Sequence, residues 1–488
     1  MPHVVTQSCC SDGSCVFACP VNCIHPTPDE PDFATSEMLY IDPATCVDCG
    51  ACVSACPVGA IVPHTRLPVE QLDFLDVNAE FYRATSHRQE RPRPLLAPRT
   101  PALEVGPRRT PLRVAVVGSG PAAMYAADEL LTVPGAQVDV YERLDRPYGL
   151  ARWGVAPDHE RTRAVSELFD VMLREPRLVM HLGVEIGRDL THDQLLADHD
   201  AVLYAVGAAS DRRLDVPGIG LPGTGTATEF VAWYNGHPEQ AGRSYDLAHR
   251  RAVVIGNGNV ALDVARVLTA DPERFAGTDI SPTALAALRG SAVEEVVVVG
   301  RRGPQFAAFT LPELLGLVSD PDLDVVVPEA DLAPAAAADL DGTAAHKLRI
   351  LAQHTGSPRA GRRRITFRFG LTPHAVLGTE RAAGMEFRRT GTEDVVEIDA
   401  GLVLTSIGYH GRPVPDLPFD DAAGVVPNKA GRVVDPGTGA VVPRTYVAGW
   451  IKRGPTGFIG TNKSCSLETV RALVADHTAA PSPVVAGR

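Results

Sequence analysis

From Leu112 onward, short runs of Val, Ile and Ala alternate with stretches whose apolar residues recur at helical spacing. The runs at 114–117, 138–141, 202–206, 252–255, 296–299, 402–407 and 446–448 predict buried strands, and 122–131 and 260–268 predict helices. Strand and helix in alternation are the pattern of an α/β protein with parallel sheets. Residues 1–83 read differently: short apolar pieces are broken up by Cys, Pro, Asp and Gly, too little to hold a core unaided. Between the two regions, 84–111 is rich in Pro and Arg without apolar periodicity, as expected of an extended tether. An Ala/Asp-rich stretch at 328–345 reads as a helical or loose surface excursion without chemistry.

A chain of 488 residues with 45% hydrophobic and 22% charged residues is built for several packed domains, not for disorder or a fibre. It has no apolar run of membrane-spanning length, and the first ten residues lack the features of a signal peptide, so a cytoplasmic protein is expected. The net charge of −13 argues against nucleic acid as a partner. Most of that charge is local: 1–83 holds eleven Asp/Glu against Arg66 and Arg83, a balance of −9.

Nine of the ten cysteines precede residue 57, at the spacing of metal ligands. Cys46-x2-Cys49-x2-Cys52-x3-Cys56-Pro57 is the bacterial ferredoxin run, in which three thiolates hold one iron–sulfur cluster and the fourth reaches to another. Cys9-x2-Asp12-x2-Cys15-x3-Cys19-Pro20 repeats it with Asp12 in place of a cysteine. Two crossed sites follow. Cys19, Cys46, Cys49 and Cys52 form a full set for [4Fe–4S]; Cys9, Cys15 and Cys56 suit [3Fe–4S], or a second [4Fe–4S] with Asp12 as fourth ligand. Zinc is the rival reading, but zinc motifs have no use for the Cys-Pro closing each run. Cys10, Cys23 and Cys465 are left as buried small residues. The segment resembles seven-iron ferredoxins, also in Pro2-His3-Val4-Val5 and in Cys19-Pro20-Val21-Asn22-Cys23-Ile24-His25-Pro26.

Two dinucleotide turns follow. Gly118, Gly120, Pro121 and Ala122 link a predicted strand to a helix, where a pyrophosphate sits at the helix N-terminus, and Glu142 closes the next strand in position for a ribose diol, the arrangement of an FAD site. Asn257, Gly258, Asn259 and Val260 form the second turn. The strand after it ends in Arg301 and Arg302 instead of an acid, which selects NADP through its 2′-phosphate. No redox-active CxxC lies near either turn, against a dithiol mechanism.

Residues 112–488 resemble the adrenodoxin-reductase family of ferredoxin–NADP reductases. The resemblance is carried by Gly149-Leu150-Ala151-Arg152-Trp153-Gly154-Val155-Ala156-Pro157-Asp158-His159, Gly258-Asn259-Val260-Ala261-Leu262-Asp263, Arg301-Arg302-Gly303-Pro304 and Gly449-Trp450-Ile451-Lys452-Arg453-Gly454-Pro455-Thr456-Gly457. With its first segment, the whole chain is similar to mycobacterial reductases carrying a fused ferredoxin. The resemblance implies that Leu150, Ile186, Trp450, Gly457, Phe458 and Ile459 contact FAD, that Glu313 and Gly457 reach NADP, and that His159 and Trp450 stand at the reacting flavin.

The expected architecture is α/β: a two-cluster α+β ferredoxin domain at 1–83, a linker at 84–111, a Rossmann-like FAD domain from 112–207 and 366–488, and a Rossmann-like NADP domain inserted at 208–365. The expected activity passes electrons from NADPH through FAD and the clusters to an external one-electron acceptor such as a ferredoxin or cytochrome P450. Two rivals share these motifs: an electron-input subunit similar to the small subunit of glutamate synthase, and a non-catalytic redox sensor.

Overall fold

The computed structural model describes residues 3–84, 103, 111–336, 340, 342–356, 358–359 and 361–479. The expected linker at 84–111 thus lies outside the described residues, apart from Ala84, Leu103 and Pro111. Two large sheets organise the rest. The first has seven strands in the order Asn428–Lys429, Arg432–Val434, Val441–Val447, Ala201–Tyr204, Arg113–Val117, Gln137–Glu142 and Leu178–Leu182, antiparallel only among its first three. The second has six parallel strands: Thr224–Thr226, Leu402–Thr405, Arg251–Ile255, Glu295–Gly300, Arg364–Phe369 and Asp324–Val326. Their central strands are runs of Val, Ile and Ala because both of their faces are buried.

The sheet pairings correct the expected boundary at 366. That position falls inside Arg364–Phe369, a strand of the second sheet, and Leu402–Thr405, expected in the first sheet, also belongs to the second. The reason lies in the nucleotide turns. Gly118, at φ +98°, faces the carbonyl of Ala205 just past Ala201–Tyr204, at 2.6 Å from where a Cβ would stand. Gly256, at φ +115°, faces Ser406 just past Leu402–Thr405 in the same way. Each turn needs a third strand ending against it, and Leu402–Thr405 serves the second. A three-stranded antiparallel sheet, Leu371–Leu377, Gly384–Arg389 and Val395–Asp399, precedes that strand and was not expected. The short pair Ser210–Asp211 and Tyr409–His410 joins the two large units. Within 328–345 the helix Glu329–Ala336 is followed by the start of Gly342–Ala352, and buried Asp331 pairs there with Arg368.

The cysteine-rich segment is an internal repeat offset by 37 positions. Cys9, Asp12, Cys15, Cys19 and Cys23 match Cys46, Cys49, Cys52, Cys56 and Ala60. The backbone repeats with the sequence: Gly13 (φ 75°) caps Ser14–Ala18 as Gly50 (φ 74°) caps Ala51–Ala55, and Ser11 and Asp48 both sit at φ 57°. Two small antiparallel ribbons, His3–Val5 with Ile61–Pro63 and Ile24–His25 with Tyr40–Ile41, are clamped to the helix Asp73–Ala84 by Asn78. Its side chain, 2% exposed, accepts from the N–H groups of Val5 and Ile41 and donates to the carbonyls of Val5 and Phe74. Among the described residues no helix is long and apolar enough to cross a membrane.

Asn78→Ala strands several of these buried groups, each costing about 1–3 kcal/mol. Iron should therefore be lost from the variant at lower temperature or denaturant than from the unchanged chain, with flavin retention unaltered; visible absorbance of the two chromophores reads both.

Candidate functional site

The first nucleotide turn opens onto a cavity of about 1110 Å³. Gly118, Gly120, Pro121 and Ala122 line it at the start of the helix Pro121–Leu131, with Glu142, Leu150, Trp450, Gly457, Phe458 and Ile459. Glu142 is buried, and its carboxylate accepts from the backbone N–H and the hydroxyl of Ser119, at 3.1 and 2.5 Å, and from Leu144 N–H at 3.0 Å. The strand end is thereby locked to the turn. Trp450 donates its indole N–H to the Thr456 carbonyl at 3.0 Å, which holds the ring in the cavity wall. This donor-lined, largely apolar hollow at a helix N-terminus fits a dinucleotide. Ile186 is not among its lining residues; its side chain packs into the core beside Leu190 and Val414.

Of the second turn, Val260 also borders this cavity, so the two nucleotide sites adjoin. Asn257 accepts from Ala308 N–H and Asn259 from Thr310 N–H, tying the turn to the segment before the helix Leu311–Val318. Arg301 and Arg302 follow Glu295–Gly300 and are exposed; Arg302 lies 5.1 Å over the Phe306 ring. Neither has an ion pair among the described residues, so both guanidiniums are open to an anion at the position where an NAD site carries a carboxylate.

His159 and Glu313 do not line the cavity. They meet Asp263 in a cluster whose ligand atoms lie within 4.8 Å of one another. Arg266 occupies the middle: it donates to Asp158 and Asp263 and stands 2.9 Å from His159 Nε2, supplying the cation that a metal would otherwise provide. Burial lowers the His159 imidazole, but Glu313 and Asp263 outweigh it and leave it above the ordinary value; burial raises the Asp263 carboxyl to about 7. Glu313 also accepts from Gln7 at 3.2 Å, so the cysteine-rich module reaches this cluster.

The thiols gather in two groups. Cys9, Cys15 and Cys56 interact electrostatically with one another and with Asp12, and Cys10 also meets Asp12, Cys9 and Cys56; Cys52 interacts with Cys19, Cys46 and Cys49 and, between the groups, with Cys15. Burial drives the Cys9 thiol up to about 11 and raises Cys15, Cys52 and Cys56, so protons sit on them until a metal replaces them. Backbone N–H groups already point at two sulfurs: Cys23 N–H at Cys19 and, 37 positions on, Ala60 N–H at Cys56. Soft donors in two preformed sets, with N–H groups aimed at sulfur, fit iron–sulfur clusters. Cys23 is more than a packing residue. Its sulfur lies 3.4 Å from that of Cys19, and that hydrogen bond lowers the Cys19 thiol to about 5.

Sequence reasoning missed the seam between module and reductase. Gly460 N–H donates to the Cys10 carbonyl at 2.8 Å, and a Cβ on Gly460 would stand 2.2 Å from Asp12 N. Lys463 donates to Ser14 Oγ at 3.0 Å and lies 3.9 Å from Asp12. Glu37 pairs with Lys347 and caps Leu311 N–H, and Glu80 meets His346 and Arg349. An isolated Gly-Thr-Asn-Lys run carries no motif, so only proximity reveals these roles.

Two nucleotide turns on parallel sheets, joined to paired cysteine sets, define a pyridine-nucleotide oxidoreductase with a ferredoxin-like module. A family model described as pyridine nucleotide-disulphide oxidoreductase matches 112–302, and a 4Fe-4S binding domain model matches 39–62, the half without Asp12. The chain is 62% identical to the probable ferredoxin/ferredoxin--NADP reductase of Mycobacterium tuberculosis, over 98% of this chain and 84% of that one. It is 40% identical to the mitochondrial NADPH:adrenodoxin oxidoreductase of Bos taurus, over 76% of this chain and 80% of that one. The solved structure of Mycobacterium tuberculosis FprA in complex with NADPH superposes with a TM-score of 0.71 at 42% identity, covering 75% of this chain and 85% of that one. The chain belongs to the ferredoxin/ferredoxin–NADP reductase family.

Charge-assisted hydrogen bonds contribute about 1.5–3 kcal/mol each. Arg301→Ala with Arg302→Ala should therefore weaken NADPH by at least about a hundredfold and NADH little; KM values for both coenzymes decide it, and equal losses refute the 2′-phosphate assignment. Gly460→Ala pushes on the backbone at Asp12. The wider gap between the cavity wall and the first thiol set is expected to slow NADPH-driven iron–sulfur reduction several-fold, while NADPH–ferricyanide activity persists.

Proposed function

We propose that this chain oxidises NADPH at FAD and passes the electrons one at a time through its own two iron–sulfur centres to an external acceptor such as a ferredoxin or cytochrome P450. The observation that carries the reading is the contact of the first thiol set with the FAD-cavity wall: Ile459 lines the cavity and packs in the same apolar cluster as Cys9, Cys10 and Cys56. When bound, FAD accepts the hydride and each iron–sulfur centre takes a single electron. The chain's residues do the rest. Gly118, Gly120, Pro121 and Ala122 receive the pyrophosphate and Glu142 the ribose, with Leu150, Trp450, Gly457, Phe458 and Ile459 around the ring system. Asn257, Gly258, Asn259 and Val260 bind the NADPH pyrophosphate, Arg301 and Arg302 its 2′-phosphate, and Glu313 and Gly457 the same coenzyme. Trp450 closes the reacting face against water, and His159 with Asp263 holds a proton near neutral pH beside the second turn.

Cys19, Cys46, Cys49 and Cys52 hold [4Fe–4S] in this reading; Cys9, Cys15 and Cys56 hold [3Fe–4S]. Asp12 is engaged by the Ser14 hydroxyl and faces Lys463, which favours three irons over four at that set. The domain division we propose follows the sheets: a module to residue 84, an FAD unit either side of an NADP unit running from about 212 to 408.

Anaerobic NADPH titration followed by visible and EPR spectra, with iron counted per flavin, tests the reading. Flavin bleaching with reduction of both centres and seven irons is the expected outcome. Eight irons assign Asp12 as a ligand, and iron that stays oxidised while the flavin bleaches refutes the relay.

A further inference from the structure

The 37-residue repeat places two loops of the same backbone on opposite fates. Loop 9–13 carries the first thiol set and is covered by the reductase at Gly460 and Lys463. Loop 46–50 carries the second set and is open. The contrast holds position by position. Cys10 is 4% exposed and its counterpart Val47 is 59% exposed. Ser11 is buried, while the side chain of its counterpart Asp48 is 63% exposed, with one carboxylate oxygen 2.7 Å from Nδ1 of the buried His3. Asp12 is buried and its counterpart Cys49 is exposed. Ala44, Thr45 and Ala51, next to this loop in sequence, are exposed as well, so small side chains flank the acid along the chain.

We propose that loop 46–50 is the electron exit port, and that it docks a one-electron acceptor protein whose contact face has a flat apolar centre and a basic rim. The proposal rests on the relay reading above and orders it: the first thiol set is an internal relay and the second faces the partner. The covered loop shows what a partner of this backbone looks like. Loop 9–13 is met by a glycine, whose missing side chain lets two backbones touch, and by a lysine on Ser14 and near Asp12. The open loop has the same curvature, an exposed acid one position earlier, and an exposed valine where Cys10 is buried. Charge complementarity selects the partner's sign. The segment 1–83 carries −9, with no lysine, while several of its acids are already spent on Lys347, His346, Arg349 and Lys463. The stoichiometry closes: NADPH yields NADP⁺, one proton and two electrons, and two acceptor molecules leave with one electron each.

Oxidised cytochrome c, a basic haem protein, serves as the probe with the full iron- and flavin-loaded chain. Carbodiimide cross-linking should join a probe lysine to Asp48, and NADPH-dependent reduction of the probe should fall with rising salt. Val47→Arg should slow that reduction at least tenfold and abolish the Asp48 cross-link, while NADPH still reduces both iron–sulfur EPR signals. Ala51→Arg, outside the thiol sets, repeats the test if Val47→Arg loses iron. Cross-links that map elsewhere, or probe reduction indifferent to both arginines, overturn the exit port and leave the relay standing. Iron–sulfur signals that NADPH fails to alter in the unchanged chain overturn the relay itself, and the port with it.

Discussion

The seating of loop 9–13 on the backbone at Gly460 is the contact on which the rest of the molecule depends. A sulfur ligand set and a flavin cavity come within reach of one another only where neither chain interposes a side chain, and Gly460 is the residue that permits it. The same segment serves the cavity on its other side through Ile459, while the helix Thr461–Ala479 begins directly after it and supplies Lys463. One short stretch is thus wall, gasket and anchor. The apolar cluster beneath it mixes Cys10, Val58 and Ala60 from the module with Met124, Tyr125, Ala151 and Phe169 from the reductase, so the two parts share a core and not only a surface.

Charge directs this union more than it cements it. Exposed ion pairs contribute about 0–1 kcal/mol, and Glu80 with Arg349 is of that kind. Glu37 is different: it is mostly buried, pairs with the nearly buried Lys347, and also caps the helix Leu311–Val318, so its removal leaves both a cation and a helix N-terminus without a partner. Two of the four lysines in an arginine-rich chain lie on this seam. Lysine and histidine supply much of the basic side of this seam. Glu313, beside His159 and Asp263, accepts from Gln7 of the module, so that cluster and the module touch through one carboxylate.

What the sequence made legible follows the physics of each signal. Parallel strands buried on both faces are written as unbroken Val/Ile/Ala runs, and 114–117, 252–255 and 296–299 lie within the strands found. Metal-ligand spacing is equally local, and Cys9, Asp12, Cys15 and Cys56 lie close enough to interact electrostatically, with Cys10, which the spacing leaves out, among them. Which sheet a strand joins is not local. The run at 402–407 reads the same in either sheet, and only the carbonyl of Ser406 against Gly256 decides it. The seam was illegible for the same reason, because Gly460 and Asp12 are separated by most of the chain. Cys23 is buried as expected, and its contact with Cys19 was illegible because a thiol that bonds another thiol has no spacing signature of its own.

The module's internal repeat explains why one small fold can face two ways. Duplication gives two loops with the same left-handed residues, the same glycine caps and the same N–H groups aimed at sulfur. Selection then acts only on what lies outside the backbone: Cys10 and Ser11 where the loop is buried, Val47 and Asp48 where it is not. The substitution of Asp12 for a cysteine falls on the covered side, where the Ser14 hydroxyl engages it beside a reductase lysine, and its counterpart Cys49 lies exposed on the open side. The asymmetry in ligands and the asymmetry in exposure therefore coincide. A pseudo-symmetric module has become directional through the side chains at its two loops, without a change in the backbone that holds them.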